Sequence, residues 1–201
     1  MRREALETPE ATARLLAAGA ELAELAARLR AAAPRLVVVC GRGSSGHAGT
    51  LLRYLFSQHL GLVTADALPS LASVYGCDLD LRRAFFLALS QSGRSPDLVA
   101  QAEAARRGGA FCAALVNDPA SPLALACDAA FDLRAGPERS VAATKSVIAE
   151  AVAGATLVAH WAGDAALLAA LERLPDRLRG AASFDWGALA AALDRHDRAF
   201  T

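Results

Sequence analysis

The chain has 201 residues, of which 54% are hydrophobic and only 5% aromatic, so its core must consist mainly of Ala, Leu and Val. Lys and Arg together number 21, as do Asp and Glu, and this balance argues against a general surface for nucleic acid. Lys145 and Glu150 interrupt the best candidate for a membrane span. The N-terminus lacks an apolar signal region and the four cysteines form no C-x-x-C pair, so we expect a cytoplasmic protein with reduced cysteines.

Helices and short apolar strands alternate along the chain. A leading helix is predicted from Thr8-Pro9-Glu10 to Pro34, and strands are predicted at residues 36–40, 62–65, 84–89, 110–116 and 129–133. Predicted helices between and after them lie at 47–59, 96–107 and 140–160, with a short helix that opens at Ser121-Pro122 and more helix beyond Asp164. The alternation predicts an α/β fold with a parallel sheet between two helical layers. In the strand order 2-1-3-4-5, the chain reverses direction between strands 1 and 3, and ligands bind at that point.

The first strand runs into the glycine- and serine-rich loop Gly41-Arg42-Gly43-Ser44-Ser45-Gly46, after which a helix begins. A helix N-terminus directs free N–H groups at such a loop and favours anions, and the hydroxyls of Ser44 and Ser45 can donate to them. The same letters also match the G-x-G-x-x-G turn of dinucleotide-binding domains, with Asp66 where a ribose-binding acid would lie. His47 follows the loop, at a position that suits either a structural or a catalytic role.

A second loop, Ser90-Gln91-Ser92-Gly93-Arg94-Ser95-Pro96, follows the third strand. Its alternating hydroxyls, its glycine and the helix that begins at Pro96 are typical of a phosphate cradle, to which Arg94 can add a charge-assisted contact. An ordinary capped helix would need only Ser95. The spare hydroxyls therefore favour a binding function.

A third segment, Glu138-Arg139-Ser140-Val141-Ala142-Ala143-Thr144-Lys145, follows the fifth strand. Lys145 is predicted in the first turns of the next helix, where its charge opposes the helix dipole. Either a local partner, such as a carboxylate or a ligand, or simple solvation would explain it.

Taken together, the three segments resemble the sugar isomerase (SIS) domain family over roughly residues 8–160, above all the first SIS domain in the isomerase half of glutamine–fructose-6-phosphate aminotransferases. Glucosamine-6-phosphate deaminases and phosphosugar isomerases look similar here. The resemblance implies a three-layer, flavodoxin-like, doubly wound sheet of five parallel strands in the order 2-1-3-4-5, with extra helices at both ends. It also implies a hexose 6-phosphate ligand, a homodimer, and neither a metal nor a nucleotide cofactor.

The resemblance also implies roles for individual residues. The phosphate and neighbouring sugar oxygens would be held by Ser45, Ser90, Gln91, Ser92 and Ser95, while the backbone of Val141 and Ala143 would line the sugar. We add Ser44 and Lys145 to this candidate binding set. Two departures from the family pattern are Arg94, which replaces an acid, and Ala143, which replaces a serine, and both bear on the choice of substrate.

The resemblance divides the chain into an N-terminal helix (1–34), an SIS domain (35–160) and a helical connector (161–201) toward a second SIS domain. In the family, the catalytic Glu, His and Lys lie in that second domain and its tail, so we expect this chain alone to lack the catalytic half. Glu138 and His47 are kept as candidate catalytic residues. The main interpretation is the phosphosugar-binding domain of an isomerase, aminotransferase or deaminase acting on fructose 6-phosphate or glucosamine 6-phosphate. The alternatives are a non-catalytic phosphosugar sensor and, third, an NAD-binding oxidoreductase domain.

Overall fold

A single sheet of five parallel strands forms the centre of the computed structural model, which describes residues 1–140 and 142–195. Its strand order is β2-β1-β3-β4-β5, as predicted. The strands are β1 (Leu36–Cys40), β2 (Val63–Asp66), β3 (Ala84–Ser90), β4 (Phe111–Val116) and β5 (Ala129–Asp132). All seven residues of β3 are buried, because this strand lies at the middle of the sheet with helices on both faces. The two edge strands, β2 and β5, are partly exposed.

Helices connect the strands and extend the chain at both ends. Before the sheet lie α1 (Arg2–Leu6), α2 (Thr8–Ala17) and α3 (Gly19–Ala32). Within the α/β region lie α4 (Ser44–Leu60), α5 (Pro69–Ser73), α6 (Pro96–Arg107), α7 (Pro122–Ala126) and α8 (Lys145–Ala162). After it follow α9 (Ala165–Glu172), α10 (Leu174–Ala182) and α11 (Gly187–Leu193). Within residues 1–140 and 142–195, each helix is too short or too polar to cross a bilayer.

The helices form two layers around the sheet. Helices α2, α3, α4 and α8 bury leucines and aromatic rings against one face of β1, β3 and β4, among them Leu15, Leu22, Leu52, Phe56 and Phe85. On the other face, α6 and α7 cover Phe86, Cys112 and neighbouring small residues. The predicted N-terminal segment thus contributes to the same core as the sheet, while the division of the chain into 1–34, 35–160 and 161–201 stays a prediction.

Several observed helix boundaries differ from the predicted ones for local reasons. The leading helix divides at Ala18 into α2 and α3, and Thr8 is the first helical residue of α2 instead of its cap. Helix α4 begins at Ser44, three residues before the predicted start, and ends at Gly61, whose φ of 66° is left-handed as a glycine C-cap requires. Helix α8 begins at Lys145 and not at residue 140, since the preceding residues form a loop.

Helices α4 and α8 run parallel, with their N-termini at the carboxyl edge of the sheet. Contacts follow the same order along the two segments: Ser45 meets Glu150 of α8, and His59 meets Asp164, two residues after the end of α8. Between these pairs, a Cβ on Gly154 would overlap the side chain of Leu52, so the glycine permits the close approach of the two helices. The packing therefore brings the start of α8 beside the first loop.

Candidate functional site

The two serine-rich loops leave neighbouring strands at the carboxyl edge of the sheet. Cys40 at the end of β1 pairs in register with Ala88 of β3, and the helices that follow, α4 and α6, cover opposite faces. Across the loops, Arg42 Nη1 lies 2.8 Å from Asp97 Oδ2. The two loops therefore leave adjacent strands at the point of chain reversal, as predicted, and the strand order on which this prediction depended is correct.

In the first loop, the backbone needs its glycines. A Cβ on Gly41 would lie 2.8 Å from the carbonyl oxygen of Ser45, and Gly43 has a φ of 54°. The Ser45 hydroxyl donates to Glu150 Oε1 at 2.9 Å, whereas the hydroxyl of Ser44 has no hydrogen-bond partner among the described residues. His47 is exposed in the first turn of α4, and its catalytic role stays a prediction.

In the second loop, two hydroxyls are held by the backbone. Ser90 Oγ accepts from the N–H of Gly93 at 3.0 Å, and Ser92 Oγ accepts from the N–H of Arg94 at 3.3 Å. The Gln91 side chain makes no hydrogen bond within the described part of the chain. Ser95 occupies the N-cap position of α6 but its side chain makes no capping bond, so the expected side-chain cap is absent there.

The Arg94 guanidinium pairs with a carboxylate that follows β4. Its Nη2 lies 2.7 Å from Asp118 Oδ2, after β4, and the side chain is largely exposed. The predicted contact of Arg94 with a phosphate therefore has no support in this arrangement, because the cation already has a carboxylate partner.

Glu138 caps the N-terminus of α8. Its Oε1 accepts from the backbone N–H of Thr144 at 2.8 Å and of Lys145 at 3.0 Å, and from the Thr144 hydroxyl at 2.6 Å. Its Oε2 accepts from the N–H and the hydroxyl of Ser146. Partial burial raises the pKa of Glu138, but the hydrogen bonds from Ser146 and Thr144 outweigh it and bring the pKa below 4.5. These bonds favour a structural role, and its catalytic role stays a prediction.

Lys145 has a local partner, which is one of the two explanations that the sequence left open for it. It is 2% exposed at the first position of α8, and its Nζ forms an ion pair with Glu7. Nearby, Glu4 accepts from the N–H of Arg139 at 2.6 Å and from the Ser140 hydroxyl, and these bonds lower the pKa of Glu4 to about 2. The N-terminal carboxylates thus hold the loop before α8.

Two predicted residues remain, Val141 and Ala143. Ala143 is half-buried, directly before the Thr144 N-cap of α8. Val141 lies outside the described residues. The assignment of their backbone to the sugar stays a prediction.

Glu150 is a residue of this region that sequence reasoning missed. It is fully buried in α8, and burial raises its pKa to about 8 in spite of the hydrogen bond from Ser45. The charge of Glu138 acts in the same direction. Its Oε2 has no hydrogen-bond partner in the described ranges 1–140 and 142–195. The available signal was that Glu150 is the single charged residue between positions 147 and 159.

An open cleft of about 790 Å³ adjoins the two loops. It is lined by Gly41, Arg42, Pro96 and Asp97 from the loops and by residues of α5. The serines of the candidate binding set do not line it. Arg42 and Asp97, which form an ion pair, both line this cleft.

The SIS interpretation of the first loop fits the structure better than the dinucleotide interpretation. The sheet has the order 2-1-3-4-5 of flavodoxin-like folds, whereas dinucleotide-binding domains have the order 3-2-1-4-5-6. Asp66, the candidate ribose ligand, instead pairs with Arg53 at 2.8 Å. For metals, no cluster of three or more His, Cys, Asp or Glu suitable for an ion occurs in the described part of the chain.

Comparison with known proteins gives a consistent picture. An isomerizing glutamine–fructose-6-phosphate aminotransferase from Symbiobacterium thermophilum is 34% identical over 187 residues, covering 87% of this chain and 30% of that protein. A crystal structure of a candidate phosphosugar isomerase from Silicibacter pomeroyi has a TM-score of 0.94 at 50% identity, covering 98% of this chain and 60% of the other. The C-terminal domain of glucosamine-fructose-6-phosphate aminotransferase from Francisella tularensis shares the fold, with a TM-score of 0.71 at 20% identity over 95% of this chain and 56% of the other.

This chain therefore spans under a third of the length of that curated relative. The SIS domain model matches residues 32–160, which include the whole sheet, both serine loops and most of α8. The chain belongs to the SIS domain family.

Proposed function

We propose that this chain is the phosphosugar-binding domain of a sugar-phosphate isomerase, aminotransferase or deaminase that acts on fructose 6-phosphate or glucosamine 6-phosphate. The observation that carries the proposal is the pair of hydroxyl-rich loops on the adjacent strands β1 and β3, at the reversal point of an SIS fold. The relatives named above supply the choice of substrate. We further propose that the protein is cytoplasmic, forms a homodimer and needs no cofactor.

The second loop has the hydrogen-bond polarity that a phosphate requires. The oxygens of Ser90 and Ser92 each accept a backbone N–H, so the proton of each hydroxyl remains free to be donated. Gln91 and Ser95 add donors that no described residue engages, and α6 directs the positive end of its dipole at the loop. Together these groups suit a doubly charged acceptor such as the phosphate of a hexose 6-phosphate.

One negative charge stands beside this cradle. Asp97 lies in the first turn of α6, where it would repel a phosphate. Its pairing with Arg42 at 2.8 Å offsets that charge, which supports anion binding at the same helix end. Because the Arg42 side chain is largely exposed, the contribution of the pair is modest.

Turnover requires a base near the sugar carbons in addition to a phosphate cradle. Glu138 is a candidate for this base, but both of its oxygens serve as the cap of α8. We therefore propose that the isolated chain binds sugar phosphate with little isomerisation. The same observation favours the second candidate function, a non-catalytic phosphosugar sensor.

A thermal-shift panel of fructose 6-phosphate, glucosamine 6-phosphate and NADH tests the ligand class. A sugar phosphate at about 100 times its Kd is expected to raise the free energy of unfolding by about 2.7 kcal/mol, whereas NADH is expected to have no effect. Stabilisation by NADH alone would contradict the proposal. An isomerisation assay on the same sample separates the enzyme from the sensor: rapid turnover would show that a base is present and would direct attention back to Glu138 and His47.

A further inference from the structure

The first helix, α1, is attached to the fold in a different way from the helices around the sheet. Within Arg2–Leu6 the one buried residue is Glu4, a charged one, while Leu6 is half-exposed. Among the described residues, neither apolar cluster that covers the sheet includes a residue of α1. A helix of five residues is not stable on its own. Polar contacts must therefore supply much of its attachment.

Two glutamates make these contacts, and both reach the residues that lead into α8. Glu4 accepts a hydrogen bond from the N–H of Arg139 at 2.6 Å and another from the Ser140 hydroxyl. Glu7, directly after α1, pairs with Lys145 Nζ. We call Arg139, Ser140 and Lys145 the latched residues. They lie 135–138 positions from their partners along the chain, so these contacts form only in the native fold.

Both contacts satisfy charges that the fold would otherwise leave at a cost. Lys145 is 2% exposed at the first position of α8, where the positive end of the helix dipole opposes its charge, so it needs the carboxylate of Glu7. The hydrogen bonds to Glu4 lower the pKa of its carboxyl group to about 2, which keeps it ionised at neutral pH. The start of α8 is thus held to α1 by charge and not by apolar packing.

We propose that α1 is a latch, in which Glu4 and Glu7 are positioning residues that hold the latched residues, and with them the start of α8, in the conformation that binds a sugar phosphate. The inference rests on the proposed function, because it requires that the start of α8 belongs to the binding site. Since α1 contributes no described side chain to the apolar clusters, its release leaves the sheet and its helices packed. Opening of the latch is therefore a local event with a lower cost than global unfolding.

Limited digestion of the full chain with trypsin measures this opening, because trypsin cuts after Arg139, between the two groups that donate to Glu4. The cleavage rate follows the population of the open form when opening is fast relative to cleavage. Glu4→Ala is expected to speed this cleavage about ten-fold or more, the effect of losing hydrogen bonds to a charged group. Glu4→Gln, which keeps one accepting oxygen, is expected to lie between Glu4→Ala and the wild type. Cleavage after Arg94, which is exposed in the second loop, is the internal control and should not change.

Two further variants test whether the latch opens as one unit. Glu7→Ala is expected to speed cleavage after Arg139 by up to about five-fold, although the partner of Glu7 is Lys145. Glu10→Ala is the matched control: it removes a carboxylate from the next helix, where the partner is Arg179 at 3.3 Å, and should leave the cleavage rate unchanged. An effect of Glu10→Ala as large as that of Glu4→Ala would overturn the proposal.

Glucosamine 6-phosphate connects the latch with the binding site. A ligand that binds only the closed form is expected, at about 100 times its Kd, to slow cleavage after Arg139 about 100-fold. Unchanged cleavage in Glu4→Ala, or failure of this variant to fold in a thermal melt, would overturn the latch. Stabilisation of the wild-type chain by the ligand without protection of Arg139 would overturn the role of the latch in binding and leave the proposed function intact. If the ligand neither stabilises nor protects the wild-type chain, the proposed function fails, and the binding role of the latch fails with it.

Discussion

Gly93 is the residue of the second loop whose replacement has the most clearly defined structural consequence. Its φ is 61°, and a Cβ there would lie 2.5 Å from the Cβ of Ser121. The left-handed conformation costs an alanine about 1–2 kcal/mol, and the crowding adds about 1–3 kcal/mol. Gly93→Ala is therefore expected to lower the free energy of unfolding by about 2–5 kcal/mol.

Gly61 provides a matched control because it shares only the first of these two effects. Its φ is 66°, but no atom lies within 4 Å of an added Cβ, so Gly61→Ala is expected to cost about 1–2 kcal/mol. Urea unfolding of both variants, with Ser121→Gly alone and combined with Gly93→Ala, measures the crowding as a coupling free energy. Equal losses in Gly93→Ala and Gly61→Ala, or no coupling with Ser121, would refute the reasoning. Displacement of Ser92 should also weaken sugar-phosphate binding in Gly93→Ala and not in Gly61→Ala.

Three further predictions concern binding, pH and assembly. Ser92→Ala should weaken sugar-phosphate binding by about 1–3 kcal/mol by calorimetry, while Ser57→Ala at the far end of α4 should leave it unchanged; a wild-type affinity for Ser92→Ala would remove its phosphate role. Glu138→Ala should destabilise the fold by about 0.5–2 kcal/mol at pH 7. Because hydrogen bonds lower the pKa of Glu138 below 4.5, its ionised form stabilises the wild-type chain above that pH, and this stabilisation is lost in acid. The free energy of unfolding should therefore change less between pH 7 and pH 3 in Glu138→Ala than in the wild type. Light scattering should give twice the mass of the chain, since Phe184, Trp186 and other large apolar side chains are exposed, and a monomeric mass would contradict the dimer.

The sequence predicted the elements that depend on local chemistry. The apolar runs that became β1, β3 and β4 were placed within one residue of their observed bounds, because strands buried on both faces need continuous apolar residues. Gly61 ended α4 and Pro96 began α6 as expected, since these residues restrict the backbone in ways that do not depend on distant contacts. The order of strands followed from the alternation of strands and helices together with the family resemblance.

The sequence was less informative about what each polar side chain does. Ser95 occupies the predicted cap position without the expected bond, and Glu138, whose catalytic role stays a prediction, caps α8. Arg94, expected at a phosphate, pairs with Asp118. Each of these side chains had several partners within reach of its length, and the choice among them depends on loop conformations that no local pattern specifies.

The sequence by itself determined the parallel sheet, the glycine and serine loops at its carboxyl edge and the family to which the chain belongs. Only the tertiary structure decided that Lys145 pairs with Glu7 and that Glu150 receives the hydroxyl of Ser45, contacts between residues 138 and 105 positions apart. Hydrophobic periodicity identifies which face of a helix is buried, but the register between α4 and α8 depends on how their side chains and Gly154 interlock. That register places the buried acid Glu150 within hydrogen-bond distance of Ser45.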